Sequence, residues 1–570
     1  MILRLHLKIK AQLFPNPEPH PEPGTRNQEP YGSFSDSSGA RPRIRRYIRD
    51  VAHPLAKMVK RAAIFVHRWL GIGLCLLFLL WFPSGIGMMY WEFPDVSDAD
   101  TLERSPALDP STIRLSPADA WATLGRPDPP ADVRLNTFDG RPVYRFVGDF
   151  GDADIVYADT GDAQVDVSGA MMLRIASAWT GQPPAAATIA EMQDIDQWTV
   201  QGLRDQPVWK YSWPSGDQVY VSQSTGEVVQ YTNTASRIGA YLGPITHWLY
   251  FTPLRKHGPE WSAFVIWTSG IGTVSALLGV AIGLWMYSPR KRYRNGGAPT
   301  SIPYRGQKRL HMVFGLIFGL AAATWAFSGM LTMDPFPLDN DPSDSEVTTS
   351  VAIEQALRGP TRLADFGAKD PRDVLTQLGD RPVKQLEFAT VAGEPLYLAT
   401  LAGGDTHNVP LDGAPRAEID RRRIIDVVTR AAQPGGVSEV RVLDQYDRYY
   451  LDRRRERPLP VILARVNDEG ASRYYIDPKT GQIAGTYNAR NWFSRWVYHA
   501  LHSFDFPWLY NYRPAWDIVV IIFMLGGTLL CLTSLVMAWR ALGRTLGRAF
   551  ARGAEGHAVI VSDDLVIGAE

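Results

Sequence analysis

Cysteine is scarce in this chain of 570 residues, in which only Cys75 and Cys531 occur. Both lie within long apolar segments, so a disulfide framework is excluded for the polar remainder of the chain. Thiolate zinc and iron–sulfur sites are excluded as well, because they need about four ligands. No CxxCH is present, which excludes a covalently attached c-type haem.

Nucleotide-binding and hydrolase signatures are also missing. No GxGxxG follows a strand-like segment, and no HExxH occurs. The 59 Lys and Arg residues balance 59 Asp and Glu residues, so charge gives no indication of a nucleic-acid partner. These absences argue against an appended flavin or nicotinamide domain and against hydrolytic chemistry.

Four long apolar runs are present, and none of them contains a charged residue. They cover residues 69–91, 261–289, 310–333 and 518–539. Each is long enough to cross a bilayer as a helix, which takes about 20 residues. Arg and Lys cluster before the first run, between the second and third, and after the fourth. The positive-inside rule therefore predicts cytoplasmic termini and long loops, 92–260 and 334–517, on the outer side, which is the periplasm in a Gram-negative cell.

The runs form two pairs that copy each other. His67, Gly71, Trp81, Ser84 and Gly85 coincide at one offset with His311, Gly315, Trp325, Ser328 and Gly329. His247, Pro259 and Trp261 coincide at another offset with His502, Pro514 and Trp516. This is an internal duplication whose halves both enter from the cytoplasm. It predicts two parallel repeats related by an axis along the membrane normal.

The predicted fold is a membrane helical bundle of four spans in two parallel repeats, with α+β domains outside the membrane. Its segments are a disordered cytoplasmic tail 1–57, a span 58–91, a loop 92–235, an interfacial helix 236–260, a span 261–289, a cytoplasmic link 290–309, a span 310–333, a loop 334–490, an interfacial helix 491–515, a span 516–540 and a cytoplasmic tail 541–570. Each loop carries about two helix-plus-strand units, such as the capped helix at Ser116 and the hairpin turn at Asp139 and Gly140. Translation starting at Met58 is an alternative to the long tail.

Residues 448–517 strongly resemble the PepSY-associated transmembrane helix proteins, iron-regulated membrane proteins that include siderophore-iron reductases. The stretch beginning RAAIFVHRWLGIG at Arg61 resembles the first span of the same family, and the similarity extends over about residues 58–545. The resemblance implies an inner-membrane protein with periplasmic PepSY domains. It also implies membrane-embedded b haem and reduction of ferric iron held by siderophores.

The duplicated histidines are the candidate haem ligands, because neutral imidazole is a common axial ligand of haem iron. His67 and His311 lie near the cytoplasmic ends of their spans, while His247 and His502 precede spans two and four on the outer side. Each pair therefore joins the two halves and predicts one of two stacked haem sites. The sequence leaves open whether one haem or two bind. Interfacial snorkelling or ordinary packing is the alternative. His499 lies one turn before His502 and is a substitute ligand, a residue that supports the ligand histidine, or part of a ferric-iron site.

The resulting hypothesis is electron transfer across the membrane to a periplasmic ferric siderophore or other ferric chelate. Electrons would come from quinol or a separate donor protein, since no flavin or nicotinamide motif is present. The aromatic residues of the loops and the arginines at 448–457 would belong to loop cores and solvated surface, or would receive a bulky anionic chelate.

The alternative functions are those of a haem-free PepSY protein that binds peptides or regulates a protease, and of an iron-chelate transporter. Transport is disfavoured because the four runs contain no acidic residue.

Overall fold

The computed structural model describes residues 40–148, 153–202, 206–294, 299–336 and 343–563, with side chains described between residues 56 and 545 of that set. Within this part of the chain, four helices are long and apolar enough to cross a membrane: Ala56–Gly87, Gly258–Met286, Gly306–Leu331 and Ala515–Thr545. The four predicted spans are therefore confirmed, with ends that differ by a few residues. Residues 1–39 of the predicted tail lie outside the described residues, and the helix that contains the first span begins at Ala40.

The helices are α1 Ala40–Gly87, α2 Asp98–Arg104, α3 Pro117–Thr123, α4 Gly169–Thr180, α5 Thr234–Leu242, α6 Pro244–Trp248, α7 Thr252–Arg255, α8 Gly258–Met286, α9 Gly306–Leu331, α10 Asp344–Leu357, α11 Pro371–Leu378, α12 Arg421–Ala431, α13 Leu501–Ser503, α14 Pro507–Tyr510 and α15 Ala515–Asp563. A π-helical segment, Ser494–Ala500, leads into α13. Short 3₁₀ turns occur at Pro110–Thr112, Pro184–Ala186 and Leu363–Ala368. The membrane helices are thus α1, α8, α9 and α15.

The first membrane helix ends four residues before the predicted boundary at Trp91. A Cβ at Gly87 would stand 2.2 Å from the carbonyl oxygen of Leu242, so the backbone at the end of α5 lies directly against the end of α1. Only a residue without a side chain fits at that contact. The chain turns at residues 88–90 and leaves the bundle.

The two predicted interfacial helices are each divided into short pieces. Residues 236–260 fold as the end of α5 followed by α6, α7 and the start of α8, and residues 491–515 as the π-helical segment, α13 and α14. Leu249 and Phe504 interrupt the two segments with left-handed backbones, at φ of 56° and 54°. Because helical residues need negative φ, no helix continues through either position.

The strands of the two loops are β1 Asp132–Phe138, β2 Arg141–Val147, β3 Ala153–Tyr157, β4 Thr188–Glu191, β5 Val208–Ser212, β6 Gln218–Ser222, β7 Val228–Thr232, β8 Arg358–Gly359, β9 Val383–Val391, β10 Glu394–Leu401, β11 Thr406–Pro410, β12 Val437–Leu443, β13 Val461–Val466, β14 Arg473–Ile476 and β15 Ile483–Tyr487. The hairpin turn predicted at Asp139 and Gly140 joins β1 to β2, and Ser116 caps α3 as predicted. The α+β character of the loops is therefore confirmed.

The first strand groups of the two loops form one sheet. Its order is β11-β10-β9-β1-β2-β3, with β8 paired to β9. Strand β1 pairs with β9 in antiparallel register, so that Val133 faces Phe388 and Leu135 faces Leu386. These four side chains are fully buried in one apolar core, which α3 and α11 also help to cover. The two loops consequently share a core instead of folding as separate domains.

The second strand groups remain separate, as the sheets β4-β5-β6-β7 and β12-β13-β14-β15. Each sheet leads directly into a histidine-bearing segment, β7 into α5 and β15 into the π-helical segment. At the start of the second loop, α10 has a capping box in which Ser343 and Glu346 satisfy each other's backbone amides. Glu346 is buried and pairs with Arg490, which joins α10 to the segment just after β15.

Candidate functional site

The inner histidine pair is formed by His67 on α1 and His311 on α9. Their ring centroids are 6.2 Å apart, with the ring planes 38° apart. The two residues occupy equivalent positions in the two halves, so the duplication itself places them opposite each other. The prediction that the inner pair joins the halves agrees with this geometry.

Each inner imidazole is oriented by a contact with the second membrane helix of its own half, which is α8 for His67 and α15 for His311. His67 Nδ1 lies 2.9 Å from the carbonyl oxygen of Ser275 on α8. His311 Nδ1 contacts the backbone of Leu530 on α15, the position that matches Ser275 in the repeat. It also lies 3.2 Å from the hydroxyls of Thr533 and Ser534. A carbonyl oxygen only accepts, so Nδ1 carries the proton and Nε2 is left with a free lone pair.

A cavity of about 1080 Å³ contains the inner pair. It lies among all four membrane helices, and eight glycines are among its lining residues: Gly71, Gly272, Gly279, Gly283, Gly306, Gly315, Gly319 and Gly543. At one end the lining is basic, with Arg68, Arg305, Lys308, Arg540 and Arg544. The volume is at the upper end of the roughly 300–1,000 Å³ found for ligand pockets. A large, mostly apolar group with an anionic edge fits this shape and charge.

The outer histidine pair is formed by His247 on α6 and His502 on α13. Their ring centroids are 6.1 Å apart and the ring planes are 69° apart. Gly85 on α1 and Gly329 on α9 lie beside the rings, where a Cβ would stand 3.6 Å from His247 Cε1 and 3.4 Å from His502 Cε1. The glycines are themselves equivalent positions of the repeat. The two halves therefore contribute the same contacts to the outer pair.

Two equivalent serines orient the outer imidazoles. Ser84 Oγ lies 3.2 Å from His247 Nδ1, and Ser328 Oγ lies 3.0 Å from His502 Nδ1. Each hydroxyl already donates its proton to its own helix, to Leu80 O and Thr324 O at 2.7 Å. Each serine therefore accepts from the histidine, which again leaves Nε2 without a proton.

A strained turn follows each outer histidine and is fastened to the next membrane helix. Leu249 and Phe504, both two residues after a histidine, have left-handed backbones that cost a non-glycine residue about 1–2 kcal/mol. The indole N–H of Trp261 donates to Trp248 O, and that of Trp516 donates to Ser503 O, both at 3.0 Å. These twin hydrogen bonds stabilise the turns and fix where the imidazoles lie.

Burial keeps the outer imidazoles neutral at physiological pH. Removal from water lowers the pKa of His247 to about 4, against a smaller opposing effect of its hydrogen bond to the Trp81 carbonyl. The same cause lowers the pKa of His502 to about 3, and the neighbouring charge on His247 adds to it. A neutral imidazole with an unprotonated Nε2 is the form that binds a metal.

The spacing of both pairs fits one metal ion between two imidazoles. With about 2 Å for each metal–nitrogen bond and about 1.1 Å from nitrogen to ring centroid, coaxial ligation separates the centroids by roughly 6.2 Å. The observed separations are 6.2 and 6.1 Å. Among the described residues no group of three or more His, Cys, Asp or Glu side chains could hold an ion. Each pair of imidazoles would hold a metal whose other ligands come with it, as those of haem iron do.

His499 lies near the outer pair, since its charge contributes to lowering the pKa of His502. Its ring packs against Tyr498 at 4.6 Å between centroids, and Tyr498 in turn lies 5.5 Å from His502. Burial lowers the pKa of His499, and the positive charges of Arg495 and Arg457 lower it further. The structure thus pairs His502 with His247, while the role of His499 as a ligand remains a prediction.

The aromatic residues of the loops belong mainly to the loop cores. Trp198, Tyr211 and Trp213 are buried in the first loop, and Tyr450 is buried in the second, stacked on Tyr475 at 4.7 Å. The interpretation as core residues therefore holds for these side chains, and they offer no exposed platform.

Three features of the site do not follow from sequence reasoning. Ser84 and Ser328 are in register, but register does not show that their hydroxyls reach a histidine on another helix. Gly279 reads in the sequence only as a helix-packing glycine, although a Cβ there would stand 2.6 Å from His67 Cε1. The buried Arg495 belongs to no pattern at all, and its guanidinium donates to Arg448 O and Asp505 O near the outer pair. The sequence signal for the two serines is that they repeat at the same offset as the neighbouring glycines and the inner histidines.

Comparison with known proteins gives one family. The family described as the PepSY-associated TM region matches residues 65–377, which is more than half of the chain and runs from within the first membrane helix to beyond the third. The matched range contains His67, His247 and His311. No curated protein is significantly similar to the chain.

Proposed function

We propose that this chain, which belongs to the PepSY-associated transmembrane family, is a bacterial inner-membrane b-haem protein that passes electrons across the membrane to a ferric siderophore or other ferric chelate. The observation that supports this most directly is the meeting of four duplicated histidines in two pairs. Their centroid separations are 6.2 and 6.1 Å, and in each ring Nδ1 is occupied by a hydrogen bond.

One haem per pair is the arrangement we infer. His67 and His311 would be the axial ligands of the inner haem, and His247 and His502 those of the outer one. At the inner site the basic end of the cavity, including Arg68, would hold the two propionate groups. Bound in this way, haem supplies one-electron chemistry, and the protein sets its potential through ligands, hydrogen bonds and burial.

The two sites are separated along the membrane normal. His67 and Ser84 are 17 positions apart on α1, as are His311 and Ser328 on α9, which amounts to about 25 Å along a helix. Since each serine contacts an outer histidine, the pairs lie near opposite ends of the bundle. Two cofactors would divide a barrier of about 30 Å into shorter steps.

Aromatic side chains occupy the space between the sites. Phe82, which lines the inner cavity, lies 6.0 Å from Trp325, and Trp325 stacks on Phe504 at 5.1 Å. Phe504 is two residues from His502. These packed rings carry no charge that would have to relax, so an electron would cross a rigid, apolar medium.

The direction of transfer follows from the proposed topology. Arg and Lys residues flank the inner ends of the helices, which favours cytoplasmic termini and periplasmic sheets. Electrons would enter the inner site from quinol or a separate donor protein, because the chain carries no nucleotide-binding motif. They would leave at the outer site, next to the periplasmic domains.

Reduction would release iron because siderophore oxygens are hard ligands that favour Fe(III) over Fe(II). The step adds one electron to Fe(III) and gives Fe(II), while protons from water or buffer take the place of the metal on the chelator oxygens. No hydrolytic group is required.

The proposal is tested with the purified full chain and its haem spectrum. We expect b-type bands on reduction with dithionite, and reoxidation of those bands by a ferric chelate. His67→Ala with His311→Ala should remove one haem per chain, and His247→Ala with His502→Ala should remove the other. His257→Ala is the control, because its twin position is Tyr512 and it belongs to neither pair.

Two results would refute the proposal. A haem-free protein without b-type bands would leave peptide binding by the PepSY domains, with the helices as anchors, as the better account. Full haem content in both double variants would refute the assignment of the ligands.

A further inference from the structure

A recess lined by arginines opens on the outer side of the bundle, beside the outer histidine pair. It has a volume of about 510 Å³, and Arg453, Arg454, Arg455, Arg513, Pro514 and Asp517 line it. The first three come from the second loop, Arg513 and Pro514 immediately precede α15, and Asp517 lies in its first turn. The volume exceeds the roughly 30 Å³ of a single water by an order of magnitude, so it has room for a compact complex ion.

The loop at 452–457 is held in a shape that presents its arginines together. Asp452 accepts backbone N–H groups from Arg454 at 3.0 Å and Arg457 at 2.7 Å, and also from Glu456. These bonds to the charged form keep the pKa of Asp452 below its usual value even though burial acts against this. Arg455 has a left-handed backbone at φ 63°, which costs about 1–2 kcal/mol. Successive guanidinium groups are thereby displayed from one tight, strained turn.

Two of the four arginines of the recess form no ion pair within the described residues. Arg454 pairs with Glu92 at 2.5 Å, and Arg513 pairs with Asp517 at 2.6 Å. Within the described residues, neither Arg453 nor Arg455 has a carboxylate within 4.0 Å. Two guanidinium groups therefore remain to receive a negative charge.

The recess is connected to the outer histidine turn. The Arg513 guanidinium lies over the ring of Trp516 at 4.9 Å, and the Trp516 indole donates to Ser503 O, next to His502. Asp505, three residues after His502, is influenced by the charge of Arg453. A ligand in the recess would thus lie one side-chain layer from the outer site.

We propose that this recess binds the anionic face of a ferric chelate, with Arg453 and Arg455 as its charge partners. The inference rests on the proposed function for its iron, but the binding itself requires neither haem nor electrons. It adds the sign of the substrate's charge and the place where the substrate is held. Anionic chelates should be preferred over cationic ones of similar size.

The test uses gallium(III)–EDTA, a redox-inert complex of charge −1, and calorimetric titration of the full chain in zwitterionic lipid nanodiscs. We expect Arg453→Gln with Arg455→Gln to weaken binding about tenfold and to lower its dependence on salt. Arg422→Gln with Arg430→Gln on α12 is the matched control, since it removes the same charge from a helix outside the recess. It should leave binding unchanged.

The charge of the probe supplies a second readout. A cationic gallium trihydroxamate should bind no more weakly to the arginine variant than to the wild type. Equal affinity of the wild type and the arginine variant for the anionic probe would overturn the inference.

Two further outcomes separate the alternatives. If replacing part of the zwitterionic lipid with phosphatidylglycerol abolishes chelate binding, the recess is a lipid-headgroup site and the inference fails. A protein that binds gallium(III)–EDTA but has no b-type bands would refute the proposed reductase and not the recess. If ferric EDTA reoxidises the haem with the same KM in the wild type and in the arginine variant, the recess is refuted as the substrate site and the proposed reductase is not.

Discussion

If each histidine pair holds a haem as proposed, Gly279→Ala, a single methyl substitution, should remove the inner haem while sparing the outer one. Gly279 lies on α8, and a Cβ there would stand 2.6 Å from His67 Cε1 and 3.2 Å from His67 Nε2. Favourable carbon–carbon contacts lie at about 3.5–4.0 Å, so the imidazole would have to move by roughly 1 Å. Nε2 is the atom assigned to the metal, and such a move takes it off the axis shared with His311.

The size of the effect follows from packing. Forcing one methyl into a filled site costs about 1–3 kcal/mol, equivalent to a roughly 5–150-fold loss in affinity at the inner site. The helix itself does not oppose the change, since alanine is favoured over glycine in a helix by about 1 kcal/mol. Loss of the cofactor would therefore reflect the position of His67 and not a disrupted helix.

The assay is haem per chain together with the reduced spectrum. We expect Gly279→Ala to lower haem content by about one per chain, with unchanged bands from the site of His247 and His502. Gly71→Ala is the control, because Gly71 lines the same cavity but a Cβ there meets nothing within 4 Å. It should retain full haem content.

The reasoning fails if Gly279→Ala retains both haems with unaltered spectra. A double-mutant cycle sharpens this test. In a His67→Ala background, Gly279→Ala should cause no further loss, since the clashing ring is absent. An additional loss there would mean that the glycine acts through another contact.

Three further changes have defined outcomes. Ser84→Ala or Ser328→Ala removes the acceptor of an outer imidazole, worth about 1 kcal/mol, and should shift the midpoint potential of the outer haem by about 40 mV without loss of haem, as a redox titration would show. Burial raises the pKa of Asp505 to about 6, so the folded state binds the extra proton between about pH 4 and 6 and loses stability as pH rises through that window. Asp505→Asn should remove this loss of stability, which amounts to up to about 3 kcal/mol at pH 7. Thermal unfolding at pH 4 and pH 7 measures the loss. An equal change in the wild type and the variant would contradict the prediction. Phe388→Ala, at a fully buried position facing β1, should cost about 3–5 kcal/mol and make both loops sensitive to limited proteolysis, whereas cleavage confined to the second loop would argue against a shared core.

The membrane helices and the histidine pairs were predictable because both depend on patterns that the sequence repeats. Charge-free runs specify spans directly, and the constant offsets of His67/His311 and His247/His502 pair the histidines by their positions in the chain alone. The strands were predictable one by one, as with the hairpin at Asp139 and Gly140, because turn chemistry and alternation are local.

The pairing of β1 with β9 was not predictable from the same patterns. It joins residues some 250 positions apart, and hydrophobic alternation does not specify which distant edge a strand will meet. The division of the interfacial segments was missed for a related reason. Leu249 and Phe504 are compatible with a helix by residue type, and only tertiary contacts hold their backbones in the left-handed region.

The β1–β9 seam has a consequence for a half-length version of this protein. A single repeat would carry β1 as an exposed edge strand, with unpaired backbone groups and a bare apolar face. Since β1 and β9 are equivalent and antiparallel, a second copy of the same repeat would close that edge with self-complementary contacts, as in a twofold dimer. The link at 290–305 thus joins covalently two halves that could also associate as separate subunits. Co-expressed halves should reassemble through the pairing of β1 with β9.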